Sequence, residues 1–334
     1  DEEIKDMSDE EYRNNLYSLW TNYCVSESYE PGSTFKPVTV ASALEEGVVK
    51  DGDTYVCKGF ETVADYKLKC HVFSTIGSHG SLTVEQALMN SCNPYMIHLA
   101  LEMGNSRFAY YQSLFGFGKI TGIDLPGETT GIVYGDRMTT IDAACNSFGQ
   151  TINVNMMQMM AAYCSIINGG MLYQPHIVKR IESANGEVVK EYKANLVRQT
   201  ITASTSKLLR RYLKNTVEEG TAKKAGVTGY SVAGKTGTAQ KGDRKDNKWI
   251  ISFIGHAPAE NPKFAIYVVI DEPYGTTGTS GSSADVLTLT HNILEKLLPY
   301  MNVYKDASDE YEDTSSSPDE LTVDGIPAGT ASSN

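Results

Sequence analysis

Long apolar runs are what this chain most lacks. Nowhere do about eighteen apolar residues follow one another, the length needed to cross a bilayer, so no segment reads as a membrane-spanning helix. The basic start, short apolar stretch and small-residue cleavage site of a secretory leader are also absent. The first residue is Asp rather than Met, from which a further N-terminal portion is expected upstream. There is no internal repeat, and there is no surplus of basic charge. The net charge of −12 is unevenly placed: residues 1–15 hold seven acids against Lys5 and Arg13, and residues 305–334 hold eight against Lys305. The ends contribute −5 and −7, which leaves the body near neutral. That excludes a nucleic-acid surface as partner and gives no sign of an acidic folded face.

A chain of 334 residues with 41% hydrophobic content can bury a sizeable core in one large domain or two. The expected division is an acidic N-terminal remnant (1–15), a folded domain (16–304) and an acidic tail (305–334). The tail is rich in Ser, Asp and Glu and poor in large apolar residues, so it cannot offset the entropy of ordering and reads as disordered.

Three short motifs then stand in one order: Ser33-Thr34-Phe35-Lys36, Ser91-Cys92-Asn93 and Lys235-Thr236-Gly237-Thr238. Residues three apart on a helix share a face, which puts Ser33 beside Lys36. A serine hydroxyl needs a base within reach to act as nucleophile, and a lysine serves when burial and a second cation lower its pKa. Lys36 is the candidate base and Lys235 the candidate second cation. Ser91 is a candidate proton relay, and Asn93 offers an amide to hold a peptide group. Lys235 with the hydroxyls of Thr236 and Thr238 suits a carboxylate, while Gly237 would let a substrate backbone approach. Taken singly, Ser33 reads as a helix N-cap, Ser91 and Asn93 as caps and Lys-Thr-Gly as a tight turn. The ordered triple outweighs those readings and describes an acyl-transfer site.

The segment after Gly32 predicts a buried helix with Ser33 at its N-terminal end, an apolar stripe through Phe35, Val38, Val40, Ala41 and Leu44, and Pro37 tolerated in the first turn. Such a helix end offers free N–H groups to an oxyanion. Thr83 and Gln86 form a capping box for a short helix that ends at the second motif, before Pro94 opens another. Residues 155–168 predict a Met-rich core helix stopped by Gly169-Gly170. Helices are also expected over 205–219 and 284–298, and strands over 250–254 and 264–270. Lys235–Thr238 falls on or beside a strand, ahead of a charged turn from Lys241 to Lys248. The fold class this suggests is α+β, with an antiparallel sheet covered by helices.

The triple is one that serine β-lactamases share with penicillin-binding proteins. Together with Tyr29-Glu30-Pro31-Gly32, Ser147-Phe148-Gly149-Gln150, Asn168-Gly169-Gly170 and Glu219-Gly220-Thr221-Ala222, it makes roughly residues 16–300 resemble a class B penicillin-binding protein, of the sporulation and division type found in clostridium-like Gram-positive bacteria. The resemblance implies an antiparallel sheet sandwiched by helices, with a mainly helical lobe carrying Ser33 and Ser91. It implies a peptidoglycan D,D-transpeptidase that cross-links stem peptides through a Ser33 acyl-enzyme, with an oxyanion hole from the backbone N–H groups of Ser33 and Thr238. D-Ala-D-Ala donors, amine acceptors, inhibitory β-lactams and a membrane glycosyltransferase partner follow by the same implication. So does a place at the outer face of the cytoplasmic membrane, held by an upstream anchor and pedestal. The alternatives are a serine β-lactamase, for which no Glu stands out as water-activating base, a β-lactam sensor domain and an inactive homologue.

No cofactor is expected for the chemistry. Six cysteines are nonetheless many for a cell-surface enzyme. Cys145 and Cys164 read as core residues. Cys57 and Cys70 flank a Gly-containing segment that could form a hairpin. Cys92, between Ser91 and Asn93, should point away from the cleft. Some relatives in the resembled family hold zinc behind this motif, which implies a structural tetrahedral site from Cys57, Cys70, His79 and Cys92, with His71 or Asp53 as substitutes. A Cys57–Cys70 disulfide and free thiols are the competing readings.

Overall fold

The structure is a computed structural model that describes residues 8–242, 248–273 and 282–307. Its framework is a buried antiparallel sheet with helices on both faces. Strand Lys248–Ala257 lies between Ala233–Lys241 and Phe264–Asp271. All but the first two residues of that central strand are buried, which a strand covered on both sides requires. Alternation sends Ile251 and Phe253 to one face, in a core with Val286, Leu287, Leu294 and Leu298 of the helix Ala284–Tyr300. Ile254 faces the other way, into the core of the helical lobe. His256 also turns to that face, where Tyr163 of the helix Met156–Ile167 meets its Nδ1 at 2.8 Å.

The helical lobe is built from Lys36–Glu46, Val84–Met89, Asn93–Met103, Asn105–Leu114, Thr140–Asn146 and Met156–Ile167. The amphipathic helix Ala203–Glu218 bridges it to the sheet: Leu209, Tyr212 and Leu213 enter the helical core and Val217 the sheet core. The capping box of Thr83 and Gln86 is present. A second, from Asn155 and Gln158, opens the Met-rich helix, whose Met159 is core.

Several expectations shift. Ser33 lies in a 3₁₀ turn, Gly32–Phe35, and the α-helix begins only at Lys36. Gly32 at φ +56° sets that turn, and Pro37 marks the first α-helical turn. Residues i and i+3 eclipse in a 3₁₀ turn, so Ser33 and Lys36 still share a side. Cys145 and Cys164 are half-buried rather than fully core, and burial raises both thiols to about 11. The boundary expected at residue 15 falls inside the helix Asp9–Ser18, whose own capping box joins Ser8 and Glu11. Order continues past residue 304, where the Asp306 N–H bonds Gly229 O at 3.0 Å and its Oδ1 accepts from Ser231 N at 2.8 Å. Positions 243–247 of the expected charged turn, and the rest of the tail from 308, lie outside the described residues.

Candidate functional site

The serine turn is wedged between two backbone surfaces. Gly32 N donates to Gly149 O at 2.9 Å, and a Cβ on Gly149 would stand 2.0 Å from Gly32 O. A Cβ on Gly32 would meet Thr238 O at 2.6 Å. The Thr34 hydroxyl donates to Pro31 O at 2.7 Å and touches the Tyr267 hydroxyl at 3.3 Å, which in turn receives the Tyr29 hydroxyl at 2.7 Å. Phe35 is fully buried, and Ser33 is left half-buried at the cleft.

Lys36 is completely buried, and its ammonium has three partners: Ser91 O at 2.6 Å, Ser91 Oγ at 3.0 Å and Asn93 Oδ1 at 2.7 Å. These bonds run to the second motif rather than to the Ser33 hydroxyl. Burial pulls the Lys36 pKa down to about 8, so a neutral amine is within reach near physiological pH. Burial is one of the two expected causes; the other, repulsion between Lys36 and Lys235, is felt on Lys235. Lys235 is depressed well below its ordinary value, by burial first and by Lys36 second.

Ser91 occupies the break between Val84–Met89 and Asn93–Met103 at φ +54°, a strained backbone for a residue with a Cβ. The next N–H, of Cys92, returns to Ala87 O at 2.8 Å and holds it there. Asn93 is engaged at both ends of its amide, because Nδ2 donates to Lys69 O at 3.3 Å. In this state it braces Lys36 and the hairpin Phe60–Val63/Tyr66–Lys69, rather than presenting a free amide to a substrate.

The third motif lies on strand Ala233–Lys241. Lys235 is fully buried, with contacts to Thr221 Oγ1, Thr236 O and Thr236 Oγ1 that are all 3.4 Å long. Gly237 also has a packing role. A Cβ there would fall 2.4 Å from Ser252 Oγ, 2.8 Å from Thr34 Cγ2 and 3.0 Å from Pro31 O, so the missing side chain lets the strand pack against the serine turn.

Ser33, Ser91, Asn93, Thr236 and Thr238 line one cleft of about 370 Å³. Thr221, Gln150, Phe148 and His71 line it too, and none of them was expected in the cleft. The first three stand in the Glu-Gly-Thr-Ala and Ser-Phe-Gly-Gln segments, which were the signal available. Thr221 is fixed by its backbone and side-chain bonds to Met89 O, both 3.2 Å, and its hydroxyl meets that of Thr236 at 3.4 Å. The groups at hand are a hydroxyl nucleophile, a buried amine held by a second hydroxyl, and an under-coordinated cation beneath threonine hydroxyls. That is a set for acyl transfer to and from serine.

Behind Ser91, the ligand atoms of Cys57, Cys70, His79 and Cys92 all lie within 4.8 Å of one another. His79 Nδ1 is 3.8 Å from Cys57 Sγ and 3.6 Å from Cys70 Sγ. A tetrahedron with zinc–sulfur bonds of about 2.3 Å has edges of about 3.8 Å, so the spacing fits. Cys70 is held down toward the thiolate by a hydrogen bond from Cys92, and Cys92 is pushed up by the same contact. All six cysteines are free in the structure. The two substitutes bond elsewhere: His71, whose ring lies 5.4 Å from that of His79, turns its Nε2 to Asn90 O at 2.9 Å, and the Asp53 carboxylate accepts from Lys50 N at 2.8 Å.

Comparison with known proteins agrees with this geometry. The family model described as penicillin binding protein transpeptidase domain matches residues 2–295. Stage V sporulation protein D of Bacillus subtilis is 41% identical over 288 residues, covering 84% of this chain and 44% of that protein. Peptidoglycan D,D-transpeptidase FtsI of Escherichia coli K12 is 32% identical over 292 residues, covering 86% of this chain and 46% of that protein. The solved structure of penicillin binding protein 3 from Mycobacterium tuberculosis, complexed with aztreonam, has a TM-score of 0.76 at 29% identity, covering 86% of this chain and 66% of that one. The chain spans less than half the length of the two curated relatives. With a serine turn, a buried lysine and a Lys-Thr-Gly strand closing on one cleft, the chain belongs to the penicillin-binding protein transpeptidase domain family.

Proposed function

We propose that this chain is the acyl-transfer domain of a peptidoglycan D,D-transpeptidase, working through a Ser33 acyl-enzyme. The observation that carries the reading is the bonding of buried Lys36 to both Ser91 and Asn93 at the floor of the cleft that Ser33 lines. Neutral Lys36 takes the Ser33 proton as Oγ attacks the carbonyl of a D-Ala-D-Ala donor. Ser91 relays that proton to the departing amine. The backbone N–H groups of Ser33 and Thr238 receive the oxyanion, and such donors contribute on the order of 3 kcal/mol each to the transition state. The donor's terminal carboxylate lies over Lys235, Thr236 and Thr238. An amine then displaces Ser33 and completes the cross-link. A β-lactam enters as a strained donor and leaves an acyl-enzyme that water reaches slowly. The cleft lining includes no carboxylate among the described residues, which favours a synthase over a β-lactamase that must activate water.

In this reading residues 16–304 act at the outer face of the cytoplasmic membrane, anchored by an upstream segment and paired with a membrane glycosyltransferase. The relatives' names favour a part in sporulation or division. Zinc on Cys57, Cys70, His79 and Cys92 is structural. It holds the Cys57–Cys70 hairpin against Cys92 and so sets Ser91 and Asn93 on either side.

Intact-protein mass after incubation with a penicillin tests the chemistry. An adduct that persists for hours on the wild type and is missing from Ser33→Ala is expected. Clearance within minutes would mean a β-lactamase, and no adduct would end the acyl-transfer reading. Metal analysis of protein purified without added zinc, beside a thiol count, should find about one zinc per chain. Two blocked thiols without metal would replace the zinc by a disulfide.

A further inference from the structure

Two cavities share one wall, and the charged groups around them differ. The cleft has hydroxyls and amides at its wall and Lys36 and Lys235 buried beneath. Its neighbour, of about 420 Å³, is lined by Tyr23, Glu27, Glu30, Gln150, Lys241 and Asp271 among others. Gln150 lines both, and Glu30 lies three residues ahead of Ser33. Asp271 is already matched by Lys241 at 2.8 Å and by the Tyr23 hydroxyl at 3.0 Å. Glu27 and Glu30 make no ion pair among the described residues. Glu30 is half-buried and accepts the Thr151 N–H at 2.9 Å, and burial holds its pKa above the ordinary carboxylate value. The neighbour cavity therefore holds two carboxyl groups without an ion-pair partner among the described residues, and a cation arriving there would offset the burial that raises Glu30.

A transpeptidase has two substrates of matching character: a donor that ends in a carboxylate, and an acceptor whose amine is an ammonium at neutral pH. We propose that the second cavity is the acceptor subsite, where Glu30 and Glu27 hold the incoming ammonium and present it past Gln150 to the Ser33 acyl-ester. The inference rests on the transpeptidase reading. The bound ammonium releases one proton to solvent, and its nitrogen lone pair attacks the ester carbonyl. The C–N bond forms, the C–Oγ bond breaks, and one of the two remaining nitrogen protons returns to Ser33 Oγ. Donor carboxylate and acceptor ammonium are thereby sorted by charge on either side of one nucleophile.

Glu30→Gln keeps an oxygen for the Thr151 N–H and removes only the charge. The acyl-enzyme made from a D-alanyl thioester is offered a tripeptide whose lysine supplies a free side-chain amine, and the amide and hydrolysis products are counted. Both products drain one intermediate, so their ratio does not depend on how fast Ser33 is acylated. The ratio is expected to fall about tenfold in Glu30→Gln, and about threefold in Glu27→Gln, whose exposed side chain the fold does not need. An unchanged ratio in both variants overturns the subsite. So does a loss of hydrolysis rather than aminolysis in Glu30→Gln, or a wild-type acyl-enzyme that passes nothing to the tripeptide. If the wild type takes no acyl group from thioester or penicillin, the transpeptidase reading fails and the subsite falls with it; a Ser33 adduct with an unchanged ratio removes only the subsite.

Discussion

The helical wall and the sheet wall of the cleft each bury a lysine completely and treat it in opposite ways. On the helical side Lys36 has three oxygen partners between 2.6 and 3.0 Å, supplied by the second motif. On the sheet side Lys235 has three contacts, each at 3.4 Å, and lies beside threonine hydroxyls. A buried charge costs several kcal/mol unless it is paired or well hydrogen-bonded. Lys36 meets that condition from the protein alone, which suits the role of base proposed for it. Lys235 does not, and its pKa is pushed well below the ordinary value. A carboxylate arriving over Thr236 and Thr238 would supply what Lys235 lacks.

Removing each lysine separates the two roles. Lys36→Met takes away the base and the brace of Ser91, and acylation by a penicillin should slow by about 10³-fold or more, read by stopped-time mass spectrometry. Lys235→Met should lower the second-order acylation constant about 10²-fold for a penicillin with a free carboxylate, and far less for its ester. Equal losses for acid and ester would erase the contrast. The pH profile sharpens it further. Lys36 must be neutral to accept a proton and its pKa lies at about 8, so the acylation rate should level off above that value and fall about tenfold per unit below it. A flat profile from pH 6 to 9 would remove Lys36 as the base. The smallest effect tests the seam between the walls. Gly237→Ala places a methyl against Ser252, Thr34 and Pro31, and should cost about 1–3 kcal/mol of stability in denaturant titration. Wild-type stability in that variant would mean that the strand and serine turn are not tightly packed there.

Much of the site was legible because its chemistry is written in short stretches. Ser33, Ser91, Thr236 and Thr238 are brought to one cleft as their motifs suggested, and the Thr83–Gln86 capping box could be read from local propensity alone. The central strand was read as 250–254 but spans Lys248–Ala257, because pairing along both edges extends a strand beyond its apolar run. Thr221 and Gln150 were missed as cleft residues although they stand in segments that carry the family resemblance, because a local motif does not say which surface a side chain will face, and His71 had no such segment around it.

The sequence by itself determined the three motifs and the amphipathic helices, since each depends on residues within a few positions of one another. It also carried the four Cys and His ligand candidates, which the family resemblance grouped as one site. Tertiary structure alone decided that Lys36 would spend its bonds on Ser91 and Asn93, 55 and 57 residues away, and that Lys235 would be left with long ones. It also decided that Gly237 lets the strand pack against the serine turn. Those outcomes turn on which distant backbone comes within about 3 Å of which side chain, and only the packed sheet and helices set that distance.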